Sequence, residues 1–166
     1  MTGRLMSEEL RTRIEHEIDT RSVSFGVWLL RRTRGKITRL WHRRAIVLTT
    51  TGRRSGRLRN VVVQVFEDAP DLYVVAANSG LPKPPAWYFN LRADPHLTAE
   101  LDGRPLRLRA ELLPEREAAE RWQWMLGIAP DYDRYQERLG RVPPIFRLVT
   151  DEQGDTADQG AADQYG

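Results

Sequence analysis

The stretch TTTGRRSGRLR, Thr49–Arg59, places Arg53, Arg54, Arg57 and Arg59 around Ser55 and Gly56, with Gly52 just ahead of them. Guanidinium groups present planar forks of N–H donors that match phosphate and carboxylate oxygens. Gly52 and Gly56 admit backbone conformations in which successive N–H groups converge, a second means of holding an oxyanion. The chemistry expected of such a turn is anion binding. It is not a nucleotide P-loop, because no Gly-Lys-Ser/Thr is present and no helical pattern follows. The plainer alternative is a solvated hairpin loop.

A second constellation lies in AANSGLPKPPAWYFN, Ala76–Asn90. Ala77, Asn78, Ser79 and Gly80 follow an apolar strand-like run, so their donors are presented at a strand end. Lys83 is one of only two lysines in the chain, against 24 arginines. Pro82, Pro84 and Pro85 stiffen the loop ahead of Trp87, Tyr88 and Asn90. Donors beside a rigid aromatic helix suit a flat heteroaromatic ring, although the aromatic residues serve equally well as core. The third constellation is PDYDRY, Pro130–Tyr135. Tyr132 and Tyr135, three apart, share a helical face. They can pack over a flat substrate and offer an O–H to a developing oxyanion, or simply fill a core.

The remaining chemistry is defined by what is missing. There is no cysteine, which excludes disulfides, thiolate metal sites and a cysteine nucleophile. His16, His42 and His96 are scattered without metal-ligand spacing, and no Ser–His–Asp arrangement or carboxylate pair stands out. No metal site is expected. Chemistry carried by a bound cofactor fits this pattern.

These segments need a scaffold, and 166 residues suffice for one core. Ala45–Thr50 reads as a buried strand and Leu58–Glu67 as its antiparallel partner. Asp68–Asp71 reads as a turn and Leu72–Ala77 as a third strand. A short helix is expected over Ala86–Ala93. Leu97–Leu101 and Pro105–Leu113 flank Asp102-Gly103, a strong hairpin signal because both residues tolerate positive φ. Pro114 opens a helix whose stripe is Ala118, Trp122, Met125 and Leu126, and Pro130 interrupts it. Ile145–Val149 is the last strand. The predicted architecture is α+β: a small antiparallel barrel with helical caps, leaving a groove at its rim.

The ends differ in character. Residues 21–60 carry twelve Arg or Lys and no acid, whereas the tail from Thr150 carries five acids and no base. Within 1–44, Ser7 can cap a thinly apolar helix, and Val23–Trp41 reads as a second helix, basic and amphipathic. That segment suits an anionic bilayer surface, or equally a cap on the core. Residues 150–166 have a composition expected to be disordered. The longest apolar run is too short to span a bilayer and no secretory signal is evident, so the expected location is cytoplasmic, with peripheral contact at the membrane's inner face.

Thr49–Arg59, Ala76–Gly80, Pro84–Asn90 with Ala93–Pro95, and Pro130–Tyr135 together closely resemble the deazaflavin-dependent nitroreductase family. The similarity covers roughly Ala45–Val149, with the motifs in the family's order. These are split β-barrel (FMN-binding-like) oxidoreductases that use reduced coenzyme F-420. The resemblance implies a split-barrel domain over 45–149 that binds a deazaflavin with an anionic phosphodiester and polyglutamate tail. Arg53, Arg54, Ser55, Gly56, Arg57 and Arg59 would hold the tail, with Lys83 reaching the phosphate. Ala77, Asn78, Ser79 and Gly80 would contact the ring or its side chain, and Trp87 and Asn90 would form the adjoining wall. Tyr132 and Tyr135 would lie on the substrate side as catalytic residues. The family's second strand often carries Pro and aromatic residues where this chain has VVVQVF, Val61–Phe66.

The activity so implied is hydride transfer from reduced deazaflavin to a quinone-like or other lipophilic acceptor. Three alternatives remain open at this stage: an FMN-binding reductase of the same fold, a non-catalytic cofactor or lipid carrier, and a nucleic-acid binder. The single phosphate of FMN would not need four arginines. Few aromatics interleave with the basic residues, and the tail is acidic, which disfavours nucleic acid.

Overall fold

A computed structural model describes residues 43–151. The predicted helices before Arg43 and the predicted disordered tail after Asp151 lie outside the described residues. Strand β1 (Ala45–Thr51) pairs antiparallel with β2 (Leu58–Gln64), Ala45 opposite Gln64 and Thr51 opposite Leu58. Strands β3 (Phe66–Asp68) and β4 (Asp71–Val75) form a second hairpin. Strands β5 (His96–Leu101) and β6 (Arg104–Leu112) form a third, and β7 (Ile145–Thr150) completes the sheet.

Every pairing is antiparallel, in the order β2-β1-β5-β6-β7-β4-β3. The two outermost strands, β2 and β3, are consecutive in the chain and separated only by Val65. A flat sheet would put them six strand positions apart, so the sheet must curl until its edges meet. The result is a split barrel. The run Leu58–Glu67, expected as one strand, is therefore two. Its partner β1 ends opposite Gln64, the Val65 N–H bonds the Arg44 carbonyl (3.0 Å), and the chain then turns to pair with β4.

Alternating residues serve two cores. Ile46, Leu48, Val65, Val74, Leu97, Ala99, Leu108, Ala110, Phe146 and Leu148 fill the barrel, joined by Trp87 and Leu91 from α1 (Ala86–Ala93). Phe66, Tyr73 and Ile145 face the other way, onto Ala118, Trp122 and Met125 of α2 (Glu115–Ile128). Tyr73 and Val74, adjacent in sequence, thus enter opposite cores, as do Ile145 and Phe146. Burial on both faces explains why these strands read as unbroken apolar runs. The hairpin at Asp102-Gly103 forms as expected, with φ of 51° and 77°. Pro114 occupies the cap position ahead of α2. Beyond α2, a single turn over Pro130–Tyr132 leads into α3 (Asp133–Leu139), which ends at Gly140 with φ 64°.

Candidate functional site

The arginine turn joins β1 to β2. The Gly52 carbonyl accepts from the N–H groups of Ser55 (3.1 Å) and Gly56 (2.7 Å), while the Gly52 N–H donates to the Arg57 carbonyl (2.8 Å). A Cβ on Gly52 would lie 2.8 Å from the Ser55 hydroxyl oxygen and 3.0 Å from the Arg57 carbonyl, so a side chain there would crowd the turn. The Arg57 N–H donates to Ser55 Oγ (3.3 Å) and the Arg53 N–H to Asn90 Oδ1 (3.1 Å). Apart from the Arg54 N–H, the backbone donors from Gly52 to Arg57 are spent on internal acceptors, so the anticipated backbone nest is largely closed. Holding an anion falls to the side chains.

Those side chains are exposed, and among the described residues no carboxylate pairs with Arg53, Arg54, Arg57 or Arg59. Seven other described arginines differ, although Arg92, Arg104, Arg138 and Arg141 likewise lack a carboxylate partner among the described residues. Arg43, Arg44, Arg109, Arg116, Arg121, Arg134 and Arg147 each have an aspartate or glutamate partner. Arg53 is steered further by the Phe89 ring, whose centroid lies 4.9 Å from its guanidinium carbon. Exposed cations of one sign clustered on a locked turn produce a local positive field that favours an anion.

Asn90 is what locks the turn to α1. It is buried, its Oδ1 takes the Arg53 N–H, and its Nδ2 donates to Thr50 Oγ1 (3.1 Å), also buried. Both ends of the amide are committed, which makes Asn90 a pin between helix and turn. Trp87 is likewise buried, its ring centroid 6.0 Å from that of Phe146 inside the barrel.

The second turn supplies the convergent backbone that the first does not. Ala77 is right-handed (φ −78°, ψ −21°) and Asn78 left-handed (φ 44°), followed by Ser79 at 57° and Gly80 at 81°. A right-handed residue followed by a left-handed one turns successive N–H groups toward a common point. The Asn78 side chain donates to the Lys83 carbonyl (2.7 Å), folding the loop back and leaving the Lys83 side chain exposed. Arg138, on α3, donates to the Ser79 carbonyl (3.0 Å). Sequence reading missed Arg138, because its partner is a backbone atom 59 positions away and no motif marks it.

Tyr132 and Tyr135 stand together, ring centroids 5.0 Å apart. Tyr132 packs edge-on to Phe66 (5.5 Å) and tilted against Trp122 (6.2 Å). Burial, reinforced by Tyr135, pushes the Tyr132 phenol up to about 12 from 10.0, so its hydroxyl keeps its proton. The Tyr135 hydroxyl accepts from Arg134 (3.2 Å). Arg138 follows Tyr135 by three residues on α3, so the helix that bears Tyr135 and begins just after Tyr132 is tied to the Asn78–Gly80 turn. The pieces therefore form a connected series: arginine turn, α1 through Asn90 and Phe89, the Asn78–Lys83 loop that leads into α1, and α3. Among the described residues no His/Asp/Glu cluster could hold a metal ion.

The comparison with known proteins bears directly on this arrangement. A model of the F420H(2)-dependent quinone reductase family matches residues 23–150. The chain belongs to that family. An F420H(2)-dependent quinone reductase of Mycobacterium tuberculosis H37Rv is 31% identical over 138 residues, spanning 75% of this chain and 91% of the relative. The solved structure of an F420-H2 dependent reductase superposes with a TM-score of 0.58 at 31% identity, covering 63% of this chain and 93% of that one. A domain-swapped dimer matches at the same score and identity, over 63% and 79%. A protein from Agrobacterium tumefaciens, 17% identical with a TM-score of 0.53 over 72% and 53%, shares the fold.

Membership in the F420H(2)-dependent quinone reductase family makes this protein a reductase, and its cofactor coenzyme F-420. The FMN reductase, carrier and nucleic-acid readings are set aside. The family match begins at residue 23, upstream of the barrel, so it takes in the basic segment as well. The residues present suit the coenzyme. Its anionic tail calls for cations without internal partners, which is the state of the four turn arginines, and the Ala77–Ser79 backbone provides a second oxyanion-seeking surface.

Proposed function

We propose that this protein reduces a quinone or a related lipophilic acceptor by hydride transfer at the junction of the arginine turn, the Asn78–Gly80 turn and α3. The observation that carries the reading is the clustering on one locked turn of four exposed arginines that have no carboxylate partner among the described residues. Arg53, Arg54, Arg57 and Arg59 bind the anionic tail, with Lys83 nearby on the proline-stiffened loop. Ala77, Asn78, Ser79 and Gly80 orient the ring end. Coenzyme F-420, when bound, supplies two-electron hydride chemistry, for which no protein nucleophile is needed. Trp87 and Asn90 fix α1, from which both turns are hung.

The contribution of Tyr132 and Tyr135 is electrostatic. A phenol that keeps its proton donates a hydrogen bond to the oxyanion left when a quinone is reduced. Tyr135, with its hydroxyl held by Arg134, is the better placed to pass that proton on. Positioned donors of this kind are typically worth ~100-fold in rate. Orientation of the acceptor by the same side chains lowers the barrier further.

Steady-state kinetics separate the two roles. Arg54→Ala and Arg57→Ala raise the KM for reduced coenzyme F-420 about tenfold at low salt, and less at high salt, because exposed pairs are screened. Tyr135→Phe lowers kcat by ~100-fold and leaves that KM near wild type. Unchanged KM in both arginine variants would remove the tail-binding role.

The lipophilic acceptor and the basic residues of 21–44 support cytoplasmic action at the membrane's inner face. Among the described residues no helix is long and apolar enough to cross a membrane. Contact would be peripheral and electrostatic. The full chain should sediment with anionic phosphatidylserine vesicles at low salt and release at high salt. Failure to sediment at low salt would leave the enzyme acting on acceptors in solution.

A further inference from the structure

Asn78, Ser79 and Gly80 are three consecutive residues with positive φ, and two of them carry a Cβ. Left-handed backbone is disfavoured for such residues and persists where the surroundings hold it. Two local bonds help, from the Gly80 N–H to the Ala77 carbonyl (2.8 Å) and from the Leu81 N–H to the Asn78 carbonyl (3.0 Å). The third hold comes from outside. Arg138 donates to the Ser79 carbonyl at 3.0 Å. Its aliphatic stem also lies directly over Gly80. A Cβ at position 80 would sit 2.7 Å from Arg138 Cδ and 3.0 Å from Arg138 Cβ. Stem and head group therefore do different things: the stem occupies the space a side chain at 80 would need, and the head group fixes the orientation of the Ser79 peptide.

That peptide unit matters because it carries the Gly80 N–H, whose bond to the Ala77 carbonyl (2.8 Å) closes the turn; rotating it would break that bond and release the Ala77–Ser79 backbone from its convergent form. Among the described residues no carboxylate takes Arg138, so its one recorded polar partner is the turn itself. We propose that Arg138 is a positioning residue for coenzyme binding, holding the Asn78–Gly80 turn in its left-handed form without touching the coenzyme. This rests on the reading above that the turn contacts the coenzyme. It also explains why a glycine stands at position 80: its φ of 81° and the close approach of Arg138 both require one.

The test is calorimetric titration of coenzyme F-420 into the full-length wild type, Arg138→Met, Arg138→Lys and Gly80→Ala, each at 50 and 500 mM salt, with a thermal melt to confirm folding. Losing a charge-assisted hydrogen bond to the turn should weaken binding in Arg138→Met about tenfold at both salt concentrations. Arg138→Lys, which keeps a stem and a donor, should recover most of the affinity. It also serves as the informative variant if Arg138→Met does not fold. Gly80→Ala should weaken binding at least as much. A loss in Arg138→Met that disappears at 500 mM salt would mean a direct electrostatic contact, and would overturn the positioning role. Weakened binding in Gly80→Ala with wild-type affinity in Arg138→Met would also overturn it, while sparing the turn as a site. Wild-type affinity in both would reject the turn as a site and the proposal with it.

Discussion

An exposed guanidinium adds little to fold stability even when paired, so four of them left without carboxylates are better understood through what they bind. Tyr132 is the opposite case, a polar group whose surroundings are already apolar. Its phenol is pushed up to about 12, chiefly by burial, from 10.0. Because the folded-state value is the raised one, the folded protein favours the protonated form. The associated stability is fully present below pH 10 and is lost as pH rises from 10 towards 12. Denaturation midpoints taken across pH 9–12 should fall more steeply for wild type than for Tyr132→Phe, which has no proton to lose. Parallel profiles would show that the phenol is solvated in the folded state.

At the scale of elements, the turns work because helices hold them. Asn90 connects α1 to the arginine turn through two hydrogen bonds, one from the Arg53 N–H and one to Thr50. Asn90→Ala strands both partners next to a buried site, and should cost about 2 kcal/mol, or roughly 4–8 °C in Tm. An unchanged Tm would mean that Asn90 is merely a lining residue. The same residue shows where sequence reading stops. An asparagine beside an aromatic helix looks like a ligand contact, and only the fold shows that both ends of its amide are taken. Asp102-Gly103 was legible because the turn demands positive φ at both positions and the residue types advertise it. The break at Val65 was not, because a valine-rich run carries no local mark of a change of pairing partner. The split-barrel fold and the cofactor came through clearly, since the Thr49–Arg59, Ala76–Gly80 and Pro84–Asn90 motifs occur together and in order. Arg138 came through not at all, because its hydrogen-bond partner is a backbone carbonyl on another element.

The molecule as a whole is a sheet curled until β2 and β3 meet at one residue, with one core inside it and a second between sheet and α2. That closure gathers segments distant in sequence around α1: the arginine turn against Phe89 and Asn90 in its middle, the Asn78–Gly80 turn on the loop that leads into it, and α3 against that turn. On the proposed function, this junction passes a hydride from reduced coenzyme F-420 to a quinone. The most direct measurement is to load the full-length protein with reduced coenzyme F-420 in the absence of oxygen, add a menaquinone analogue, and follow the return of oxidised deazaflavin absorbance. Hydride transfer at this junction should give stoichiometric reoxidation that requires both protein and quinone and repeats on each further addition of coenzyme. Tight binding of the reduced coenzyme with no reoxidation by any quinone would contradict it.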